Sequence, residues 1–90
     1  MLIRFNNRMK RDVKIMKKRG KDLKKLEEVL DKLAKGESLP AKNKDHQLKG
    51  VWQEFRECHI EPDWLLIYRI EEDVLILYAI ATGSHADLFE

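Results

Sequence analysis

The chain has 90 residues, with 43% hydrophobic and 38% charged side chains, which predicts one folded domain over residues 1–90 and excludes a disordered chain. Its formal net charge of +2 hides a split: residues 1–50 hold 16 Lys or Arg and 7 Asp or Glu (+9), whereas residues 51–90 hold 2 and 9 (−7). With one cysteine and no apolar run near the roughly 18 residues that cross a bilayer, the sequence excludes an internal disulfide and a membrane span and predicts the cytoplasm.

The N-terminal half predicts a short strand followed by two helices. The strand covers residues 2–5, and the first helix runs from about residue 7 to residue 19. The second helix begins after Asp22, a good N-cap, and ends at Gly36, a residue that favours the left-handed stop. Because the joint between the helices is short, they should form an antiparallel hairpin. The apolar stripe of the second helix consists of Leu23, Leu26, Leu30 and Leu33.

The C-terminal half predicts an exposed polar loop and then three strands. The loop spans residues 37–49 and has little regular structure, and a polar turn follows at residues 71–73. The predicted strands cover residues 51–59, 64–70 and 74–81, before a short apolar tail at residues 86–89. The order β-α-α-β-β-β predicts an α+β fold, in which a helical hairpin packs on a mostly antiparallel sheet.

The three histidines each lie in a polar run of the C-terminal half. His46, His59 and His85, together with Asp63, are candidates for an acid–base site, because the unperturbed imidazole pKa of about 6.5 allows proton transfer near neutral pH. No pair of Cys or His has the close spacing typical of a metal site, so we expect no metal. Cys58 and His59 would point to opposite faces of a strand, and a lone Cys is usually a small buried hydrophobe rather than a nucleophile.

RNA cleavage without a metal fits the remaining polar residues. The reaction needs a base, an acid and cations that stabilise the developing phosphorane charge. The basic N-terminal half favours an anionic partner such as RNA, although interleaved acids also fit a solvated helix face. Trp64 opens an apolar strand, which favours a core position over a stacking platform. Candidate cations are Lys44, Lys49 and Arg56, and candidate rings for stacking a base are Trp64 and Phe89.

Three segments of the C-terminal half carry a family resemblance. They read DHQLKG at residues 45–50, FRECHIEPDWLLIY at residues 55–68 and TGSHADLF at residues 82–89. In this set the chain resembles the YafQ branch of the RelE/ParE toxin superfamily. The resemblance spans most of residues 45–89 and implies a RelE-like fold, which agrees with the predicted element order.

The resemblance implies the toxin of a type II toxin–antitoxin system. Such toxins enter the ribosomal A site and cut mRNA without a cofactor. His85 would then be the general acid, while His46, His59 and Asp63 share base and orienting roles. Trp64 and Phe89 also match positions that the family uses at or near the site. The implied partners are a cognate antitoxin, the ribosome and mRNA, with DNA contacted only through the antitoxin complex.

Ala81 departs from the family pattern. The family usually has Arg directly before the Thr-Gly-Ser/Thr-His run, where it holds the scissile phosphate. A chain with Ala81 is either a natural toxin of low activity, a toxin that uses another cation, or a deliberately attenuated toxin. The intact flanking motif favours attenuation.

Two rival functions remain open at the level of sequence. A ParE-like gyrase inhibitor would share the fold, but members of that branch lack the histidine set. A non-enzymatic module that binds the antitoxin and autoregulates is compatible with Ala81.

Overall fold

A computed structural model describes residues 1–89, which form three helices and a five-stranded sheet. In chain order the elements are β1 (Leu2–Phe5), α1 (Asn7–Lys18), α2 (Leu23–Ala34), β2 (His46–Gln47), β3 (Arg56–Glu61), β4 (Trp64–Glu71), β5 (Ile76–Gly83) and α3 (His85–Phe89). The strand order is β1-β5-β4-β3-β2, in which β1 pairs with β5 in parallel and the other pairs are antiparallel. The predicted α+β class is confirmed, and the six predicted elements occur in the predicted order, with β2 and α3 in addition.

The first two helices begin where the sequence predicted and end within two residues of the predicted ends. The side chains of Asn6 and Asp22 accept hydrogen bonds from backbone N–H groups of the first turns of α1 and α2, which satisfies donors that the helix itself leaves free. Past the helix ends, Gly20 and Gly36 adopt φ angles of 81° and 76°, which suit glycine. Among the described residues, no helix has the length and apolar surface that crossing a membrane requires.

The core lies between the helical hairpin and one face of the sheet. The helices present the periodic apolar stripes of the sequence, and β4 and β5 present every second residue. These side chains are at most 4% exposed: Met9, Met16, Leu26, Leu30, Trp64, Leu66, Tyr68 and Leu77. We call this side of the sheet the core face.

Two boundaries before β3 differ from the prediction. The strand predicted to start at residue 51 starts at Arg56 instead, because residues 50–52 form a single 3-10 turn. The loop predicted at residues 37–49 contains another 3-10 turn and the two-residue strand β2. Neither short element has a periodic pattern that distinguishes it from a polar loop.

The C-terminal segment also differs from the prediction. Strand β5 begins at Ile76 because Leu75, with a φ of 53°, still belongs to the turn. It continues to Gly83, past the break predicted at residues 82–84. The predicted apolar tail is the helix α3, which starts directly after Ser84. The sheet pairing of β5 with β4 overrides the local turn signal of these residues.

A bulge in β5 changes the face of the sheet to which its last side chains point. Tyr68 pairs with Ala79, but the preceding residue Ile67 pairs with Ala81, so Ile80 is an extra residue. Directly opposed residues share a face of the sheet. The bulge therefore moves Ala81 to the face opposite the core.

Candidate active site

A row of residues crosses four strands on the face opposite the core. The register pairs His46 with Glu57, Glu57 with Ile67, and Ile67 with Ala81. His59 lies two residues beyond Glu57 on β3, so it shares the same face. We call this side of the sheet the histidine face. The register brings His46 and His59 together although 13 positions of sequence separate them.

Two histidine rings converge on the buried carboxylate of Glu57. The Nε2 atoms of His46 and His59 lie 3.7 Å and 3.6 Å from its Oε1. Their Nδ1 atoms contact backbone carbonyl oxygens, at 2.7 Å for Lys44 and 3.1 Å for Pro62. Because a carbonyl oxygen only accepts, each Nδ1 carries the hydrogen, and a neutral ring keeps a lone pair on Nε2. Each ring can take up a proton at Nε2, with Glu57 as the counterion.

Lys44 holds His46 through its backbone rather than its side chain. Its φ of 46° lies in the left-handed region, a conformation that costs a non-glycine residue about 1–2 kcal/mol. In this conformation its carbonyl oxygen meets the ring of His46. Its side chain is exposed beside the site, so the predicted contact with RNA stays a prediction.

The third histidine reaches the site from α3. Both the backbone N–H and the ring Nδ1 of His85 contact Oδ1 of Asp63, at 3.0 Å and 2.9 Å. The backbone N–H first, and the ring second, lower the pKa of the Asp63 carboxyl. The ring of His85 lies 5.8 Å from that of His59 and 6.3 Å from that of Phe89, between ring centroids. The structure thus brings the four predicted acid–base residues, His46, His59, Asp63 and His85, to one site.

The predicted base-stacking role of Trp64 is wrong. The Trp64 side chain is fully buried on the core face. Its Nε1 donates to Oγ1 of Thr82 over 2.9 Å, and that hydroxyl donates to the carbonyl oxygen of Leu65. Neither ring face is open to a nucleotide. Phe89, by contrast, is 47% exposed beside His85, so its predicted stacking role stays a prediction.

Of the predicted cations, Arg56 lies on the other side of the sheet from the histidines. Arg56 pairs with Tyr68 on the core side of the sheet, and its Nε contacts Oδ1 of Asp45 over 3.4 Å. Arg56 therefore points away from the histidines and is paired with Asp45, and its predicted RNA contact stays a prediction. Lys49 is exposed in the segment after β2, and its predicted RNA contact stays a prediction.

Cys58 lies on the core face, as its alternation with His59 predicts. It pairs with Leu66, is completely buried, and has a pKa raised to about 12, mainly by burial. A thiol held neutral in this way is not a nucleophile.

The sequence prediction missed Glu57. It is 6% exposed and lies between two histidine rings. The available signal was its position two residues before His59 in a predicted strand, which puts both side chains on one face.

Three side chains of the site also form a possible metal-ligand set, which local spacing did not predict. Ligand atoms of Glu57, His59 and His85 all lie within 4.8 Å of one another. Two imidazoles and a carboxylate suit zinc or copper. Local spacing does not predict this set because its members lie on two separate elements, β3 and α3.

The centre of the histidine face lacks a cation at the Ala81 position. Ala81 is 2% exposed and pairs with Ile67, which itself pairs with Glu57. A longer side chain at position 81 would therefore begin on the same face of the sheet as the Glu57 carboxylate, two strands away from it. Beside His59, a groove of about 310 Å³ is lined in part by Lys42, Lys44 and Pro62.

Comparison with known proteins identifies the family. Residues 1–90 match the family model described as "Bacterial toxin of type II toxin-antitoxin system, YafQ". The mRNA interferase toxin YafQ of Escherichia coli strain K12 is 41% identical over 88 residues, covering 97% of this chain and 94% of that protein. A metal-bound toxin from Helicobacter pylori has a TM-score of 0.93 and 43% identity, covering 99% of both chains. YafQ in the E. coli DinJ–YafQ complex has a TM-score of 0.89 and 39% identity, covering 98% of this chain and 97% of that one. The chain therefore belongs to the YafQ family of bacterial toxins of type II toxin–antitoxin systems.

Proposed function

We propose that this toxin is a ribosome-dependent endoribonuclease that cuts mRNA in the A site by acid–base catalysis without a metal. The observation that carries the proposal is the arrangement of His46, His59 and His85. Each ring has Nδ1 engaged by an oxygen acceptor, which leaves Nε2 for proton transfer. The 41% identical E. coli relative, an mRNA interferase toxin, supports the same substrate.

The chemistry requires one proton acceptor and one proton donor. The ribose 2′-oxygen attacks the adjacent phosphorus and loses its proton to a base, while the bond to the 5′-oxygen breaks and that oxygen receives a proton. His85 is the proposed acid, oriented by Asp63. His46 and His59 share the base role, and Glu57 balances the positive charge that either ring acquires.

We attribute a low rate of cleavage to Ala81, which stands where the family has Arg. The phosphorane carries additional negative charge, and the described site residues offer it histidines but no arginine at position 81. Loss of one preorganised charge-stabilising group costs about 10²–10³ in rate, by analogy with a deleted oxyanion-hole donor. We infer that the chain is an attenuated form of an active toxin.

A bound transition metal would inhibit this reaction. Glu57, His59 and His85 would hold the ion, and its coordination would occupy imidazole nitrogens that proton transfer needs. The H. pylori relative described as metal-bound supports metal affinity in a toxin of this fold. Metal binding is therefore proposed as competing with RNA rather than as assisting cleavage.

The proposed partners follow from charge and from the relatives. The net charge of +9 over residues 1–50 favours ribosomal RNA along the helical hairpin and the 37–49 segment, through contacts that weaken with salt. The E. coli DinJ–YafQ complex supports a cognate antitoxin that neutralises the toxin. DNA would be reached only through that complex, and a ribosomal target implies action in the cytoplasm.

Primer extension on a reporter mRNA in a purified translation reaction tests the function. We compare this chain with its Ala81→Arg variant, and we expect ribosome-dependent cuts at defined codon positions that increase about 10²–10³-fold with Arg. A chelator selective for transition metals, which leaves Mg²⁺ to the ribosomes, should not reduce the cuts, since no transition metal takes part.

Val74→Arg is the matched control for added charge. Val74 is 56% exposed in the turn at the other end of β5, so an Arg there should leave cleavage unchanged. If the folded Ala81→Arg variant makes no cuts, the enzyme proposal is wrong. Gyrase-dependent DNA cleavage would then favour the ParE-like inhibitor, and inactivity in both assays would favour the non-enzymatic antitoxin-binding module.

A further inference from the structure

The helix α3 carries His85 and Phe89 but is too short to set its own orientation. It has five residues, whereas isolated helices shorter than about 12–15 residues are marginal in water. At its start, Leu88 N donates a backbone hydrogen bond to the carbonyl oxygen of Ser84 over 3.2 Å. Contacts with the rest of the molecule must therefore fix where His85 points.

Asp87 collects most of these contacts. Its two carboxylate oxygens accept from both terminal nitrogens of Arg19, over 2.5 Å and 3.0 Å. One of the same oxygens accepts from the backbone N–H of Ser84 over 2.9 Å, and Asp87 N donates to the hydroxyl of Ser84 over 3.2 Å. Bidentate arginine–carboxylate pairs fix geometry as well as charge.

The chain leaves no free space between Asp87 and the end of β5. A Cβ atom added at Gly83 would lie 2.8 Å from Cβ of Asp87. The side chain that meets Arg19 is thus packed directly on the backbone that leads into α3. Any rotation of α3 would have to break the Arg19 pair or press Asp87 into Gly83.

The opposite end of this contact is anchored in α1. Arg19 directly follows the last residue of that helix. Further along α1, Asp12 accepts from the backbone N–H of Thr82 over 3.1 Å. The hydrogen bonds of Arg19 and Ser84 hold the pKa of Asp87 well below its ordinary value, so the pair stays charged at neutral pH. Helix α1 and its C-cap residue are therefore hydrogen-bonded to both the end of β5 and α3.

We propose that Arg19 and Asp87 are positioning residues that hold His85 of α3 against His59 on the histidine face. We call this pair the α3 latch. It lies outside the group of acid–base side chains at the reacting site, since Arg19 belongs to the α1 terminus. Its catalytic consequence rests on the proposed function, but its effect on the position of α3 does not.

Two variants open the latch in different ways. Arg19→Met removes both bonds, while Asp87→Asn removes the charge and keeps an oxygen that can accept from Ser84 N. Glu71→Gln is the matched control, because Glu71 is also a partly exposed carboxylate bound to an arginine, Arg69, but lies at the far end of β4. Circular dichroism checks that all three variants fold.

NMR of the protein with Ala81 in place reads the latch without any activity. In both latch variants the Leu88 amide should exchange about fivefold faster with solvent, and the nuclear Overhauser effect between the His59 and His85 rings should weaken. The control should match the parent in both measurements. Unchanged exchange and unchanged ring contact in folded latch variants would overturn the proposal.

A kinetic measurement in the Ala81→Arg background tests the catalytic consequence. The Asp87→Asn variant, which leaves the basic side chains of the hairpin in place, should lower kcat for mRNA cleavage about fivefold or more and leave KM for ribosomes unchanged, since only the position of His85 is altered. A rise in KM with kcat unchanged would overturn the positioning role. If the Ala81→Arg parent does not cleave, the proposed function fails and the NMR measurement alone decides the latch.

Discussion

The two faces of the central sheet use the same strands for different purposes. On the core face, Cys58, Leu66 and Leu77 are completely buried against the helical hairpin. On the histidine face, Glu57 and His59 alternate with those apolar neighbours. Adjacent positions of one strand thus serve stability and chemistry separately, because successive side chains point to opposite sides. Substitutions one residue apart should therefore have different kinds of effect.

The largest expected effect lies on the core face, at Trp64. Trp64 is fully buried, whereas Trp52 is 48% exposed. Trp64→Ala removes a large core side chain and also leaves the hydroxyl of Thr82 without its indole donor. We expect the free energy of unfolding to fall by about 3–5 kcal/mol, a large part of the about 5–15 kcal/mol available to a domain. Urea unfolding followed by circular dichroism measures the change.

Trp52→Ala is the matched control for this prediction. Trp52 contacts Phe55, with ring centroids 5.8 Å apart, but remains half in solvent, so the loss should stay below about 1 kcal/mol. Equal losses for the two variants would mean that the core face does not carry the stability assigned to it.

The fold was largely predictable because its signals are local and periodic. The leucine spacing of α2 and the caps at Asn6 and Asp22 describe structure that forms within a few residues. The unpredicted elements, β2 and α3, have two and five residues. Short segments such as these take their conformation from the neighbours they pair with rather than from their own sequence.

The candidate site was predictable in its histidines and less so in their surroundings. A histidine in a polar run is conspicuous whatever the fold. Whether Glu57 lies beside the histidines depends on the register of three strands. The face of the sheet that Ala81 occupies depends on the bulge at Ile80. The sequence did not show which face of the sheet Arg56 and Trp64 occupy for the same reason, since a shift of one position along a strand moves a side chain to the other face.

An intermediate effect, on chemistry rather than stability, is expected at Glu57. Glu57→Gln keeps the shape of the side chain but removes a buried charge. Because burying a charge is costly, the free energy of unfolding should stay unchanged or rise. Cleavage by the Ala81→Arg version should fall about 10–100-fold, since neither His46 nor His59 then has a counterion. Urea unfolding and primer extension on the same preparation test both statements.

The neighbouring acid Glu54 supplies the control for Glu57. It is exposed just before β3, so Glu54→Gln should alter neither stability nor cleavage. A Glu57→Gln variant that loses stability yet cleaves normally would assign Glu57 to the core and contradict the separation of the two faces.

The smallest expected effect is at Asp63, where the stability contributed by the histidine face depends on pH and that of the core face does not. Contact with His85 lowers the pKa of Asp63 in the folded state, so this contact adds stability above the unfolded pKa of about 4 and loses it as pH falls through the folded pKa. The core face contributes apolar burial, which has no such dependence. Asp63→Asn should therefore lower the melting temperature slightly at pH 7, and the difference from the parent should vanish in acid.

Asp73→Asn, in the exposed β4–β5 turn, is the control, and its melting temperature should show no such convergence with that of the parent. Calorimetry from pH 7 to pH 2 measures both variants. A deficit for Asp63→Asn that persists in acid would mean that packing, rather than the charge on Asp63, ties α3 to the histidine face.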